Sequence, residues 1–298
     1  MRIIRINQEI CTRCGQCLSQ CSSRLLSFSE KEEGSKNSTK LIFKDPTNSC
    51  SLCGHCLAVC PTEAIEYDKG DPCFTSAAIL DPKHYSYDNI LEILRARRSI
   101  RQYHAKAVSR EDIKAILEAM RYAPSASNEQ NWEYLILTDS KQIQEFSQKV
   151  LNMIRLTYKL VSNSLINTLF LWGPTRKLAR DPSFLFSMKN LLNRADRGED
   201  PIFFKAPCII LLHSPIYGNL AGNDAGIALT HGMLAARSLG LGTCWIGIAQ
   251  ETMQRIGKFN RWLGIPKGRT VWGMFTLGHP KESFQRAPPR EPLRIVWK

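Results

Sequence analysis

The chain has 298 residues, and its 40 Lys and Arg outnumber 27 Asp and Glu, for a formal charge of +13. A hydrophobic share of 43% supplies a real core and excludes a mainly disordered chain, and the length predicts about two domains. No apolar run approaches the ~18 residues of a membrane span, and Met1 to Glu9 has no apolar signal core, so the expectation is a cytoplasmic protein without membrane contact.

Arg2 to Ile6 alternates polar and apolar residues and predicts a short strand. Eleven cysteines are many for a reducing compartment. Eight of them fall in two matching runs. Cys11, Cys14, Cys17 and Cys21 read C-x2-C-x2-C-x3-C, and Cys50, Cys53, Cys56 and Cys60 repeat that spacing before Pro61. A zinc site needs only four ligands and no third Cys at the same interval. A disulfide framework suits a small secreted domain. The repeated run resembles the two-cluster bacterial ferredoxins. That resemblance implies two 4Fe–4S clusters with crossed ligands, because the fourth Cys of each run serves the other cluster. Cluster one would take Cys11, Cys14, Cys17 and Cys60; cluster two would take Cys50, Cys53, Cys56 and Cys21. The first run ends in Cys21-Ser22 where those proteins usually have Cys-Pro, which is expected to loosen the turn. Ser29 to Lys40 is polar, contains Gly34 and predicts a surface loop; Ala64 to Tyr67 predicts a returning strand. Cys73, Cys208 and Cys244 are left over and read as small buried residues.

Gly70, Pro72 and Pro82 mark a linker, taken as 71–87 between domains at 1–70 and 88–298. Asp88 is placed to cap a helix carrying Ile90, Leu91, Ile93 and Leu94. Ser109 followed by Asp112 predicts a capped start, with Ile113, Ile116, Leu117 and Met120 at helical spacing. Strands are expected over Tyr134 to Thr138, Cys208 to His213 and Thr270 to Leu277. Asp224 to Leu239 predicts a helix rich in small residues that packs closely on another. Glu251 to Leu263 predicts a further helix ending at Gly264. The mixed stretch 146–205, with Arg176, Lys177 and Arg180, reads as a helical insertion or lid over a site, with plain scaffold as the alternative.

The second domain lacks G-x-G-x-x-G after a strand, Walker A, H-E-x-x-H and a serine nucleophile elbow. It has Arg97-Arg98-Ser99-Ile100-Arg101, a set that suits a phosphate because guanidinium binds it in bidentate fashion. Then come RYAPSASNEQNW over Arg121 to Trp132, GLGTCWIG over Gly240 to Gly247, LGHP over Leu277 to Pro280, and Pro288-Pro289-Arg290. In this order the motifs resemble the nitroreductase family of FMN enzymes, in its ferredoxin-fused form. The implied fold class is α+β: a small ferredoxin-like domain with two 4Fe–4S clusters, followed by an FMN-binding nitroreductase-type α/β sandwich. By the resemblance, Arg97, Arg98, Ser99 and Arg101 hold the FMN phosphate and ribityl end. Pro124, Ser125, Ala126, Ser127 and Asn128 meet the isoalloxazine ring, Asn128 by its side chain. Trp245, Ile246 and Gly247 lie near the reactive edge, although ordinary core explains Trp245 and Ile246 as well. Arg290 is the late phosphate-binding arginine. Asn131 stands where the family usually has Pro before Trp132.

The resemblance further implies a homodimer and an oxidoreductase. Electrons would pass from an external one-electron donor, a ferredoxin or similar, through the clusters to FMN. From there they would reach a small organic acceptor of nitroaromatic, quinone or enone type. NAD(P)H is a second donor, since simpler members use it. The alternatives are a non-catalytic electron carrier or redox sensor, and an enzyme acting on free flavin. No proton donor stands out; Tyr158, Tyr217 and His213 qualify by type alone. Residues 1–70 hold nine Lys/Arg and eight Asp/Glu, and 71–298 hold 31 and 19. Cluster-bound thiolates would turn the first module acidic beside a basic second one. That basic face suits an acidic protein donor better than nucleic acid, for which no recognition motif is present.

Overall fold

The computed structural model describes residues 2–29, 39–68, 71, 73, 81, 85–163, 177, 180–217 and 220–298. Most of the loop at 29–40 and of the linker, and Arg176 of the basic patch, lie outside the described residues. The chain divides into two units. One is Met1–Ser86 with Ser125–Glu129; the other is Tyr87–Pro124 with Gln130–Lys298.

In the first unit, β1 (Arg2–Ile6) pairs antiparallel with β4 (Ile65–Asp68), and β2 (Leu26–Phe28) pairs antiparallel with β3 (Leu41–Phe43). The two expected strands are therefore partners. β2 and β3, of three residues each, are too short to show a period in sequence. Short helices, Gln16–Gln20 and His55–Ala58, follow Gly15 and Gly54. Both glycines are left-handed, at φ 74° and 75°, where a Cβ would be strained. The repeat extends to residues that do carry a Cβ: Arg13 and Leu52 sit at φ 55°, and Arg24 and Glu63 at 52°. The core is Ile3, Cys17, Leu26, Leu41, Leu57 and Ile65. Cys73 is exposed, not buried, because it lies beyond β4 and outside any strand or helix.

The second unit is built on a four-stranded antiparallel sheet in the order β5-β6-β8-β7. The strands are β5 (Glu133–Leu137), β6 (Cys208–Pro215), β7 (Gly242–Trp245) and β8 (Arg269–Gly278). Both faces are covered. In β6, Ile209 and Leu211 enter one core, while Cys208, Ile210 and Leu212 enter the other. This two-residue alternation is why β6 reads as an unbroken apolar run. In β8 the alternation slips: Val271 and Met274 share one face, Phe275 and Leu277 the other. The slip matches a register shift between Leu212 and His213.

Helix Arg110–Arg121 starts as expected, with Ser109 Oγ accepting from the Asp112 N–H at 2.9 Å. It packs with helix Ala221–Ser238, whose small residues allow the approach: a Cβ on Gly232 would stand 2.7 Å from Met120 Cγ. Asp88 lies inside the first turn of helix Tyr87–Ala96 and is not its cap. The single helix expected to Leu263 is two, Gly247–Arg255 and Gly257–Trp262, broken at the non-helical Ile256.

Within 146–205, the described helices Ser140–Ser162 and Pro182–Asp196 contribute side chains to the core. Phe146, Val150, Leu151, Ile154, Met188 and Leu192 are buried in one core with Ile209 and Leu211. Phe146 is fully buried against Phe203, ring centroids 4.9 Å apart. Phe146→Ala should therefore cost about 3–5 kcal/mol. Denaturant unfolding checks this; a cost near zero would refute the part given to Phe146 in the core.

Candidate functional site

The two cysteine runs form matching turns and gather in crossed sets. One pocket of the first unit is lined by Cys50, Cys53, Cys56 and Cys21 together. Burial pushes the Cys17 thiol up, and the neighbouring charges of Cys60, Cys11 and Cys14 add to the effect. Burial raises Cys56 to about 11, with Cys53 and Cys50 contributing. Burial also works to raise Cys60, but N–H groups of Thr62, Ala64 and Glu63 and the Thr62 hydroxyl outweigh it, so its pKa is lowered. The fourth cysteine of each run accepts the same backbone bond, Leu25 N–H to Cys21 Sγ and Ala64 N–H to Cys60 Sγ, both 3.3 Å. The turn after Cys21 is thus kept although Ser22 replaces proline. Among the described residues no three His, Cys, Asp or Glu close around a single ion.

In the second unit, residues 99–104 are stitched in by their backbone. Ser99 bridges Thr243 in parallel, Ile100 N–H donates to Thr243 O at 2.9 Å, and Tyr103 bridges Pro280. His104 N–H donates to His279 O at 2.9 Å, and Lys281 N–H to Gln102 O at 3.0 Å. The buried Tyr103 hydroxyl donates to Ile100 O at 2.8 Å and lies 2.8 Å from Thr276 Oγ1. Desolvation raises its pKa strongly. The arginine motif is thereby an extended segment with two faces. Ser99 and Arg101 lie beside the buried Cys244 thiol, whose pKa burial raises while Arg101 and Ser99 offset it. Arg98 and Ile100 face a cavity of about 760 Å³, which Arg97 also lines.

That cavity gathers more cations than the motif shows. Arg95, Arg237, Lys281 and Arg286 join Arg97 and Arg98, against Glu92 and Glu282. Among the described residues none of the six cations is in a salt bridge. Arg98 Nε is buried with no hydrogen-bond partner. The other end of that guanidinium is engaged, Arg98 Nη1 donating to Arg97 O, and the excess of cations over carboxylates in the lining suits an anion. Arg237 ends helix Ala221–Ser238 and is far from the motif in sequence, so no local signal could have found it.

The other expected site residues divide. Ser125, Ala126, Ser127 and Asn128 group with the first unit, Pro124 with the second. Ser127, Asn128 and Gln130 are left-handed, at φ 52°, 56° and 43°. Ile246 is buried core, and Trp245 packs beside the other core while its Nε1–H donates to Gln250 Oε1 at 2.9 Å. Gly247 is exposed at the start of its helix. Arg290 is exposed in the tail and does not line the cavity. Of the candidate proton donors, Tyr158 packs on the core and Tyr217 is exposed.

His213 is buried and has a structural partner. Arg269 Nε–H donates to its Nδ1 at 2.9 Å, so the neutral ring keeps its proton on Nε2. Arg269 Nη2 also donates to Asn131 O at 2.8 Å and His213 O at 3.1 Å, and pairs with Glu133 at 3.3 Å. Arg269, which sequence reading passed over, is what fixes the carbonyl before Trp132.

Comparison with known proteins decides the family. A model of the nitroreductase family matches residues 94–279, more than half of the chain, and a 4Fe–4S dicluster domain matches residues 10–70. The chain belongs to the nitroreductase family. It is 27% identical to an Archaeoglobus fulgidus protein named as an NADH dehydrogenase/NAD(P)H nitroreductase, over 70% of this chain and 97% of that one. It is 28% identical to the Bacillus subtilis FMN reductase (NAD(P)H), over 67% of this chain and 70% of that one. A Bacteroides fragilis nitroreductase crystallised with bound FMN has a TM-score of 0.50 at 22% identity, covering 70% and 98% of the two chains; it shares the fold. Among the described residues no helix is long and apolar enough to cross a membrane.

Two outcomes test this nitroreductase site. A Cβ on Gly242 would stand 2.9 Å from Ile100 Cβ, a branched and rigid neighbour. Gly242→Ala should push the arginine segment off β7 and cost about 1–3 kcal/mol, read as a lower denaturant midpoint. Burial, then Arg269, lowers the His213 pKa below its usual 6.5, and Glu133 only partly opposes them. As pH falls below 6.5, the unfolded chain takes a proton that folded His213 refuses, and stability drops toward the lower folded value. His213→Gln removes that loss, so its Tm deficit relative to wild type should narrow between pH 7.5 and 5.5. A constant deficit would refute the assignment.

Proposed function

We propose that this protein is an FMN-dependent oxidoreductase that draws single electrons through two 4Fe–4S clusters and passes electron pairs to a small organic acceptor. The observation that carries the reading is the joint presence of two crossed four-cysteine sets and of the backbone-held arginine segment at 97–101 in a nitroreductase-family unit. When bound, the clusters exchange one electron at a time and FMN one or two, so together they convert single electrons into pairs.

The chain's own residues supply the frame. Cys11, Cys14, Cys17 and Cys60 hold one cluster; Cys50, Cys53, Cys56 and Cys21 hold the other. Arg97, Ser99 and Arg101 anchor the phosphate and ribityl end of FMN, with Arg98 on the opposite face adding positive charge. Bidentate guanidinium fixes the phosphate's direction as well as its charge. Arg269 holds the backbone before Trp132 so that the 124–131 turn keeps its shape. Within the second unit, the chain at Trp245–Gly247 would meet the ring, with main chain in place of the buried Ile246 side chain. Arg290 joins the site from the tail.

A homodimer completes this reading. Leu293, Val296 and Trp297 of the tail are 87%, 82% and 89% exposed, too apolar to be left in water. The favoured donor is a small acidic one-electron carrier, drawn to the basic unit. The names of the Archaeoglobus and Bacillus relatives favour a second reading, in which NAD(P)H reduces the flavin directly.

Protein purified without oxygen should carry both iron–sulfur and flavin absorbance. Rapid mixing with a reduced ferredoxin should bleach the flavin, and Cys53→Ala should keep FMN while losing that response. Fast stoichiometric bleaching by NADPH, unchanged in Cys53→Ala, would favour the second reading. Protein with no affinity for FMN would sink both.

A further inference from the structure

The resemblance gives Asn128 to the flavin ring, yet its amide nitrogen is engaged elsewhere. Within the first unit, Asn128 Nδ2 donates to Ser51 O at 3.2 Å and to Leu52 O at 3.1 Å. These are the two carbonyls between Cys50 and Cys53. Ser51 and Leu52 line the same pocket as Cys21, Cys50, Cys53 and Cys56.

The chain carries its own control. Thr12 and Arg13 occupy the matching places between Cys11 and Cys14, and Arg13 has the same φ of 55° as Leu52. Among the described residues no side chain donates to the carbonyls of Thr12 or Arg13. Among the described residues one loop of the repeat is clamped by a side chain and the other is not.

The clamp has a physical consequence. A peptide plane carries its C=O and the next N–H on opposite sides. Holding the Ser51 and Leu52 carbonyls therefore fixes the directions of the Leu52 and Cys53 N–H groups. Leu52 is left-handed and has a Cβ, so its loop gains by relaxing when released. Hydrogen bonds and dipoles around the sulfurs are among the levers that set a cluster's reduction potential.

We infer that Asn128 is a positioning residue for the second cluster, clamping the Ser51 and Leu52 carbonyls and so setting that cluster's potential apart from the first. The inference rests on the two-cluster reading above. Its test is a redox titration of the full chain, followed by electron paramagnetic resonance of the reduced clusters. Cys14→Ser and Cys53→Ser assign each signal to its cluster. In Asn128→Ala, the cluster held by Cys50, Cys53, Cys56 and Cys21 should become harder to reduce. Its reduced-to-oxidised ratio at fixed potential should fall about tenfold, or about 59 mV for one electron. The first cluster should not move. Asn128→Asp keeps the size but loses the donor and should shift the same cluster; Asn128→Gln keeps the donor and should recover part of the shift. Equal shifts in both clusters, or none in either, would overturn the inference. Wild-type protein without two separable signals would strike down the two-cluster reading first, and this inference with it.

Discussion

A strand paired by its backbone on both sides leaves its side chains only two directions. Residues 99–104 are held by their backbone in two places, Ser99 and Ile100 at Thr243 and residues 102–104 at His279 to Lys281. The rest of the second unit follows from this constraint. Gly242 must lack a side chain so that Ile100 can lie against it. Tyr103 must reach inward to close the buried polar chain to Thr276 and the Cys244 carbonyl. Arg101 then lies on the Cys244 side, while Arg97 and Arg98, just before the held stretch, line the cavity. A flexible loop of the same composition would leave its charges in water, where each is solvated and none is committed to a ligand.

The first unit obeys a different logic. Its regular structure is slight, and it is shaped by turns repeated at matching places in both cysteine runs. Backbone N–H groups end on sulfur at Cys21 and Cys60, with the same length in both runs. The two runs differ in what touches them from outside, since a side chain from the 125–129 segment reaches only the second.

Much of this was legible in sequence where a period or a spacing recorded a local rule. The cysteine intervals, the Ser109 cap and the alternation of β6 are such records. The illegible parts depend on distant partners. Arg237 and Lys281 join Arg98 only because helix Ala221–Ser238 and the end of β8 converge there. The helical pattern from Glu251 to Leu263 hides a break at Ile256, because apolar spacing continues across a kink that backbone angles alone reveal. The stretch 146–205 looked like an insertion because its charges mask buried positions such as Phe146 and Leu192. Asn128 shows a further limit: a motif names a residue type, but its hydrogen-bond partners are set by the chain around it.

Among the described residues the core of the first unit is a small cluster, Ile3, Cys17, Leu26, Leu41, Leu57 and Ile65, with Ala64 also buried. So small an apolar core offsets little of the entropy of ordering a domain. Ligand binding by its thiolates is then folding free energy, as in other small metal-dependent domains. The second unit, with two large cores of its own, has no such dependence. Iron supply would therefore govern the folding of the smaller unit, under a third of the polypeptide, and leave the larger one standing.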